Sequence, residues 1–305
     1  MGGYSKWEPD AWKTYSSTTK AKSASAIYTK TALAVDTMSP TNVLRESCDS
    51  PVNPESTPII VALDVTGSMG RIAVNIARDG LGVLFQNILD KKPVSDPHIM
   101  IAGVGDIDYD RAPLQVSQFE SNIIITKWLE DLYLEGGGGG NSCESYDLPY
   151  YFAAYRTKID CFDKRNKKGY IFTVGDEPPP SKLNAAKMTK LFGTEVPADI
   201  TFESILAACK KKYVPYHIII EEGDHVRSHG LARVKEPWAK LLGQNVIVLS
   251  DYTKLAELIV SILEVENGKT VDATADAWAD TGTSVVIRKA LNTTTVAKHS
   301  AIVEF

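Results

Sequence analysis

One acidic and two hydroxyl side chains follow directly after an apolar, partly β-branched run in the sequence. Asp64, Thr66 and Ser68 occupy alternate positions just beyond residues 58–63. This order predicts a buried strand that ends in a turn, at the edge where open α/β sheets bind their ligands. Carboxylate and hydroxyl oxygens suit a hard divalent cation. We therefore predict a site for Mg²⁺ at this turn, with Ca²⁺ or Mn²⁺ as alternatives.

Buried strands alternate with amphipathic helices from residue 58 onwards, a pattern typical of a parallel sheet covered on both faces. The predicted strands are 58–64, 98–104, 113–119, 168–175, 215–221 and 245–250. The predicted helices are 70–90, 121–133, 145–158, 182–191, 201–212, 232–242 and 252–265. The link 105–112 is too short for a helix, so the third strand should be antiparallel. The predicted fold class is α/β: a Rossmann-like, doubly wound, mostly parallel six-stranded sheet with one antiparallel edge strand.

Residues that are distant in the sequence should meet in such a fold. Parallel strands end at the same edge of a sheet, so Asp176, which follows the strand 168–175, should approach Asp64. Between them, the glycine run Gly136–Gly140 leads into Asn141, Ser142 and Glu144. Consecutive glycines carry a large ordering cost, which indicates a local need for close backbone approach.

The segment from Asp64 to Ser68 resembles the D-x-[ST]-x-S motif of von Willebrand factor A (vWA) domains. The resemblance covers residues 58–266. It implies that Asp64, Thr66, Ser68 and Asp176 are ligands of a metal-ion-dependent adhesion site. In these domains the metal attracts an Asp or Glu side chain of a partner protein.

The second ligand loop departs from the usual vWA pattern, in which a threonine follows paired glycines. The segment 141–144 instead resembles the version found in integrin β subunits, which implies that Glu144 reaches the metal. Together with the hairpin 105–113, the glycine run is most similar to stand-alone intracellular vWA proteins of bacteria and their phages.

Each candidate ligand also has a purely structural alternative. Asp64, Thr66 and Ser68 could cap the helix that follows them. A glutamate such as Glu144 is stabilising at a helix N-terminus without any metal. The joint occurrence of these residues with Asp176, at the ends of two parallel strands, favours the metal site.

Three further acids, Asp106, Asp108 and Asp110, lie on the same predicted face in a D-x-D-x-D arrangement. An EF-hand is excluded because Arg111 and Ser117 stand where that loop needs glycine and glutamate. A second cation and ordinary turn carboxylates remain as alternatives.

Two histidines, His225 and His229, follow the fifth predicted strand in a polar stretch that we predict to be a loop. The stretch lacks the H-E-x-x-H pattern, so surface histidines or a partner-contact loop are favoured over a zinc site. His225 is an accessory candidate on the ligand face, together with Asn141 and Ser142.

Composition narrows the classes of function. The chain has 305 residues, 44% of them hydrophobic, and a net charge of -5, which gives no basis for nucleic-acid binding. Its four cysteines are widely spaced, which favours a reducing compartment over a disulfide framework. No apolar run approaches the ~20 residues that cross a bilayer. We expect a soluble cytoplasmic protein, associated with virions if it is encoded by a phage.

The sequence divides into an N-terminal extension (1–56), a vWA domain (57–266) and a C-terminal extension (267–305). Trp7 and Trp12 indicate an arm that docks, most simply onto its own domain. Periodicity is lost after Gly268, although 285–291 could form a short helix. The last residues, 293–305, alternate like a strand that could add to the sheet, wrap the domain or join another chain.

The function expected from these patterns is a divalent-cation-dependent protein–protein interaction module, an adaptor or scaffold. One alternative is a structural component that self-assembles through its terminal arms, with the cation only stiffening the face. A less favoured alternative is a Mg²⁺-dependent hydrolase. The chain has neither the G-x-x-x-x-G-K-[ST] phosphate loop nor a G-x-S-x-G elbow, so we expect that it is not an enzyme.

Overall fold

The computed structural model describes residues 7–20, 35–134 and 143–292. The strands in chain order are β1 (Arg45–Ser47), β2 (Thr57–Asp64), β3 (Pro97–Val104), β4 (Leu114–Val116), β5 (Thr157–Ile159), β6 (Gly169–Gly175), β7 (Lys182–Leu183), β8 (Ile200–Thr201), β9 (Tyr213–Ile220) and β10 (Val246–Leu249). Six of them form the central sheet in the order β10-β9-β6-β2-β3-β4. Only the β3–β4 pair of this sheet is antiparallel. The predicted fold class, with its antiparallel edge strand, is confirmed.

Helices cover both faces of the sheet. They are α1 (Pro9–Lys20), α2 (Val35–Met38), α3 (Gly70–Asn75), α4 (Leu81–Lys91), α5 (Ile125–Asp131), α6 (Asp147–Tyr155), α7 (Asp160–Arg165), α8 (Ala185–Phe192), α9 (Phe202–Lys212), α10 (Asp224–His229), α11 (Leu231–Leu242), α12 (Leu255–Glu266), α13 (Val271–Asp276) and α14 (Thr281–Asn292). A π-helical turn, Ile76–Gly80, joins α3 to α4 within the predicted helix 70–90.

Alternating side chains of β2 supply two apolar cores, one on each side of the sheet. Ile59, Val61 and Leu63 join the core beneath α4 and α12, whereas Ile60 and Ala62 join the core beneath α6, α9 and α11. Because β2 is buried on both faces, its sequence is continuously apolar rather than alternating.

The order in which strands are added to the sheet reverses between β2 and β6. The chain runs from β2 to β3 and β4, then returns to β6 on the other side of β2. Leu63 pairs with Val174, so Asp64 and Asp176 leave the sheet from adjacent strand ends. Such a switch point opens a crevice in which α/β sheets bind their ligands.

Two predicted helices are too long because short strands occupy one end of each. The predicted helix 145–158 ends at Tyr155 in α6, and β5 then pairs in parallel with β1. The predicted helix 182–191 begins only at Ala185, because β7 pairs with β8 before α8 starts.

The edge of the sheet also differs from the prediction. The strand predicted at 113–119 is limited to β4, with one isolated bridge from Ile99 to Glu120. The helix predicted at 121–133 begins only at Ile125. A turn precedes it, in which the Asn122 side chain accepts a hydrogen bond from the backbone N–H of Ile124, 2.8 Å. Asparagine commonly competes with helix formation in this way.

Described parts of both extensions pack on the central domain. Trp12 of α1 is 6% exposed, and its indole Nε1 donates to Gln86 Oε1 of α4 at 2.7 Å. The sequence after Gly268 has no strong periodicity, yet α13 and α14 form there and bury Ala275, Ile287 and Leu291. The short helix predicted at 285–291 lies within α14, while the alternating segment 293–305 lies outside the described residues.

No helix in the described part of the chain is both long enough and apolar enough to cross a membrane.

Candidate metal site

Three hydrogen bonds hold the Asp64 carboxylate, two from the turn after β2 and one from the residue before α6. Thr66 donates to Asp64 Oδ1 from its backbone N at 2.9 Å and from Oγ1 at 2.6 Å. The Tyr146 hydroxyl donates to Asp64 Oδ2 at 2.5 Å. Asp64 and Tyr146 are fully buried, and Thr66 is 2% exposed. The carboxylate is therefore fixed in place by short polar contacts.

Ser68 connects this turn to the end of β6. Its Oγ donates to Asp176 Oδ1 at 2.9 Å and lies 3.4 Å from Thr66 Oγ1. The other Asp176 oxygen, Oδ2, accepts a hydrogen bond from the backbone N–H of His225 at 2.8 Å. Four of the residues predicted as ligands thus lie in one connected cluster at the switch point.

Glycines at two positions permit this close approach. A Cβ on Gly175 would collide with the Tyr146 hydroxyl, and a Cβ on Gly223 would lie 2.5 Å from the Asp176 carboxyl carbon. Tyr146 and Asp176 could not keep their positions if positions 175 and 223 carried any residue other than glycine.

Two glutamates extend the cluster. Glu144 is 3% exposed, and its Oε2 has no hydrogen-bond partner among the described residues. Glu177 is 7% exposed, and its Oε1 lies 3.4 Å from His225 Nδ1. Glu144 was predicted from the resemblance, whereas Glu177 was not predicted.

The cluster concentrates negative charge away from water. Burial, reinforced by the Asp176 carboxylate, raises the pKa of Asp64, and burial also raises the pKa of Asp176. Burial and the neighbouring Asp64 raise the pKa of Glu144 and bring the pKa of Glu177 to about 8. These shifts mean that the ionised state of the cluster is costly without a compensating cation.

The described residues offer these carboxylates little positive charge. The one basic side chain that they place nearby is His225, whose Nδ1 lies 3.4 Å from Glu177 Oε1, and burial lowers the pKa of His225, which disfavours its charged form. In the described ranges no three Asp, Glu, His or Cys side chains converge on a common point. A cation here would therefore need the hydroxyl oxygens of Thr66 and Ser68 as well as carboxylates. This mixed donor set fits Mg²⁺ better than a softer metal.

The three acids of the hairpin have structural partners. Asp110 Oδ2 accepts from the Asp106 backbone N at 2.7 Å, and Asp106 Oδ1 accepts from the Asp108 backbone N at 2.8 Å. Asp108 also forms an ion pair with Lys187. These contacts are those of turn carboxylates, the structural alternative given above for this motif.

The histidine segment was predicted incorrectly. The predicted loop is the helix α10, which begins at Asp224 after Gly223, and His225 is 8% exposed rather than a surface residue. Its backbone N–H at the first turn points to Asp176, as helix N-termini do toward anions. Asn141, Ser142 and Gly136–Gly140 lie outside the described residues.

Tyr146 and Glu177 are the residues of this cluster that the sequence did not reveal. Glu177 directly follows Asp176, so its position next to a predicted ligand was a usable signal. Tyr146 precedes α6, and its hydroxyl reaches Asp64 only because α6 packs across the sheet. No local pattern marks that contact.

The fold and this cluster define a doubly wound α/β domain with an acidic, hydroxyl-bearing crevice at its switch point. No protein-family profile and no curated protein sequence matches the chain. Solved structures with a similar fold include the open form of the pilus adhesin SpaC from Lactobacillus rhamnosus GG, with 8% identity and a TM-score of 0.49. Proximal thread matrix protein 1 from the mussel byssus has 11% identity and a TM-score of 0.45. A von Willebrand factor type A protein from Catenulispora acidiphila has 12% identity and a TM-score of 0.38.

These likenesses concern the fold alone. They cover 74%, 72% and 72% of this chain, respectively. The chain spans 31% of the pilus adhesin, 48% of the byssus protein and 44% of the von Willebrand factor type A protein.

Proposed function

We propose that this chain is a protein-interaction module whose crevice holds a divalent cation, Mg²⁺ in the first instance. Asp64, Thr66, Ser68 and Asp176 would hold the cation, with Glu144 and Glu177 adding negative charge around it. The observation that carries the proposal is the 2.9 Å contact between Ser68 Oγ and Asp176 Oδ1, which joins two strand ends in a buried cluster of carboxylates.

A cation in this cluster would attract an acidic side chain of a partner protein. Hydroxyl ligands carry no charge, so they leave a cation more electrophilic than carboxylate ligands do. Hard cations also keep positions for ligands from outside the protein. An Asp or Glu of the partner would then complete the coordination shell, and binding would depend on the metal.

The arrangement of Ser68 supports binding rather than hydrolysis. A serine nucleophile is activated by a neighbouring base that is itself oriented by a third group. Here the Ser68 hydroxyl donates to Asp176, and among the described residues no histidine side chain is hydrogen-bonded to Ser68 or Asp176, so a serine–histidine relay is not formed there. Turnover by the wild-type chain on nucleotide or phosphoester substrates, lost in Asp64→Ala, would favour the hydrolase alternative instead.

Calorimetric titration of Mg²⁺ into the full chain tests the metal directly. We expect saturable binding that weakens at least about tenfold in Ser68→Ala and in Asp176→Asn. Ser228→Ala is the matched control, because Ser228 is exposed on α10 outside the cluster. Unchanged Mg²⁺ affinity in both site variants would show that these side chains are not ligands.

Size-exclusion chromatography separates the interaction module from the self-assembling alternative. Run with Mg²⁺ and with EDTA, the chain should elute as a monomer in both conditions, because the metal is proposed to act on a partner. Metal-independent oligomers would instead favour assembly through the terminal arms.

A further inference from the structure

A second acidic cavity lies beside the candidate metal site. It is bounded by the turn after β3, the first turn of α6 and the segment 180–184, and its volume is about 290 Å³. Three carboxylate side chains that line it are almost completely buried: Asp106 is 2% exposed, Glu144 3% and Asp147 0%. The two lysines of its wall are already paired, Lys187 with Asp108 and Lys182 with Asp199.

Three carboxylate oxygens of this cavity, on Glu144 and Asp147, lack hydrogen-bond donors from the described residues. Glu144 Oε2 has no partner. The Asp147 carboxylate lies near the backbone N–H groups of Asp147 and Leu148, but neither oxygen forms a hydrogen bond of normal geometry. A buried acceptor without a donor is destabilising, and more so when it is charged. A positively charged hydrogen-bond donor would therefore be stabilised in this cavity.

The thiol of Cys143 lies in the same acidic surroundings. Cys143 lines the cavity and is partly exposed. Burial, followed by the charges of Asp106, Glu177, Asp147 and Glu144, raises the pKa of this thiol to about 11.

The spacing of the carboxylates argues against a second metal ion. Mg²⁺ and Ca²⁺ need several oxygens within about 2.0–2.6 Å of one point. Within the described ranges, no three acidic, histidine or cysteine side chains converge in that way. An ammonium or guanidinium group instead carries three to five separated donors, which can reach carboxylates on different walls.

We propose that this cavity binds an organic cation through an ammonium or guanidinium group. The group would come from a Lys or Arg side chain of a partner protein or from a free polyamine. It would donate to Asp147 and Glu144, while its aliphatic stem leaves through the side of the cavity that the described residues do not cover. This inference does not rest on a bound metal, although Glu144 faces both sites.

Calorimetric titration of agmatine into the full chain, in EDTA at pH 8, tests the cation site separately from the metal. We expect saturable binding with one agmatine per chain, weakened at least about tenfold in Asp147→Asn. Asp163→Asn is the control, because Asp163 is an exposed acid outside the cavity. Absence of saturable binding, or equal affinity in the two variants, would overturn the proposal. The EDTA condition keeps this result independent of the Mg²⁺ titration.

The source of the cation is tested by comparing spermidine with Nα-acetyl-arginine amide. Tighter binding of spermidine supports the site with a free polyamine as its ligand. Tighter binding of the capped arginine supports the site with a protein side chain as its ligand. No saturable binding of either compound contradicts the proposal.

A labelling experiment on the unmutated chain covers the case in which Asp147→Asn does not fold. The thiolate attacks cationic and anionic methanethiosulfonate reagents by the same step, forming a disulfide and releasing methanesulfinate, so the ratio of the two rates reports local potential rather than thiol pKa. We expect this ratio to be at least about fivefold higher at Cys143 than at Cys48, whose neighbours Asp160 and Glu46 are balanced by Lys158 and Lys164. Agmatine should slow labelling at Cys143 alone. Equal ratios at the two cysteines would overturn the proposal.

Discussion

At the scale of single residues, Asp64 contributes both to the stability of the fold and to the proposed cation site. Its two oxygens are held by Thr66 and by the phenol of Tyr146. The ring of Tyr146 has little freedom, because it packs edge-on against His217 and Trp238 at centroid distances of 5.2 and 5.6 Å. Tyr146 is therefore a rigid donor that stabilises a buried negative charge.

We predict that Tyr146→Phe lowers the free energy of unfolding by about 1.5–3 kcal/mol in EDTA, because a hydrogen bond to a charged buried group is lost. The measurement is urea unfolding at pH 8. Tyr155→Phe is the control, since Tyr155 is 49% exposed and should change stability by less than about 0.5 kcal/mol. Equal stability of the two variants would show that the Tyr146 contact contributes nothing to the fold.

Much of the cluster could be anticipated from the sequence, and the reason is local. Asp64, Thr66 and Ser68 follow one strand, Asp176 follows another, and parallel strands end at the same edge. Tyr146 could not be anticipated, because its contact depends on how α6 packs. The metal itself stays a prediction until it is measured.

At the scale of elements, α1 shows how a terminal segment is held against the domain. A Cβ on Gly82 of α4 would lie 2.6 Å from the Trp12 ring, so the indole packs directly on the helix backbone. Trp7 Nε1 adds a hydrogen bond to Asp90 Oδ1 at 2.6 Å, about two turns further along the helix surface. The contact needs glycine at position 82.

We predict that Gly82→Ala displaces Trp12 and makes the amide hydrogens of residues 9–20 exchange at least about tenfold faster. Gly80→Ala is a matched control, because its Cβ would meet Ile76 at an ordinary 3.6 Å. That control should leave exchange in α1 unchanged and should add up to about 1 kcal/mol of stability from helix propensity. Unchanged exchange in Gly82→Ala would contradict the docking described here.

The elements that were predicted correctly are those with long apolar patterns. Strands β2, β3, β6 and β9 have seven or eight residues each and are buried almost throughout. The strands that were missed, such as β1 and β5, have three residues each and exist only because distant segments pair. A pattern this short carries too little periodicity to be recognised.

At the scale of the whole molecule, a polar network joins the segment before β2 to α7. Asp49 Oδ2 accepts from Arg165 at 2.5 Å, and Asp49 Oδ1 accepts from Ser56 Oγ at 2.7 Å. Partial burial acts to raise the pKa of Asp49, but the hydrogen bonds from Arg165 and Ser56 outweigh it and hold the pKa at about 2. Because the pKa of Asp49 is lowered, this network makes the stability of the fold depend on pH in the acidic range.

A carboxyl whose pKa is lowered by folding contributes stability that is fully present above its unfolded pKa of about 3.9. This contribution is lost as the pH falls from about 4 through 2.

We predict that Asp49→Asn removes this contribution, lowering the free energy of unfolding by about 1–2 kcal/mol at pH 7 after allowance for solvent screening. The variant should also lose less further stability than the wild type between pH 5 and pH 2. Denaturation curves across this range, with Asp163→Asn as control, measure both effects, and parallel pH profiles would contradict the assignment.

The central claim is that two strand ends at the switch point hold one divalent cation. Anomalous scattering from crystals grown with Mn²⁺ tests it most directly. The account predicts one strong peak within about 2.6 Å of Ser68 Oγ and an Asp176 carboxylate oxygen. Density for Mn²⁺ only elsewhere on the protein, with Ser68 still hydrogen-bonded to Asp176 and no ion between the strand ends, would contradict it.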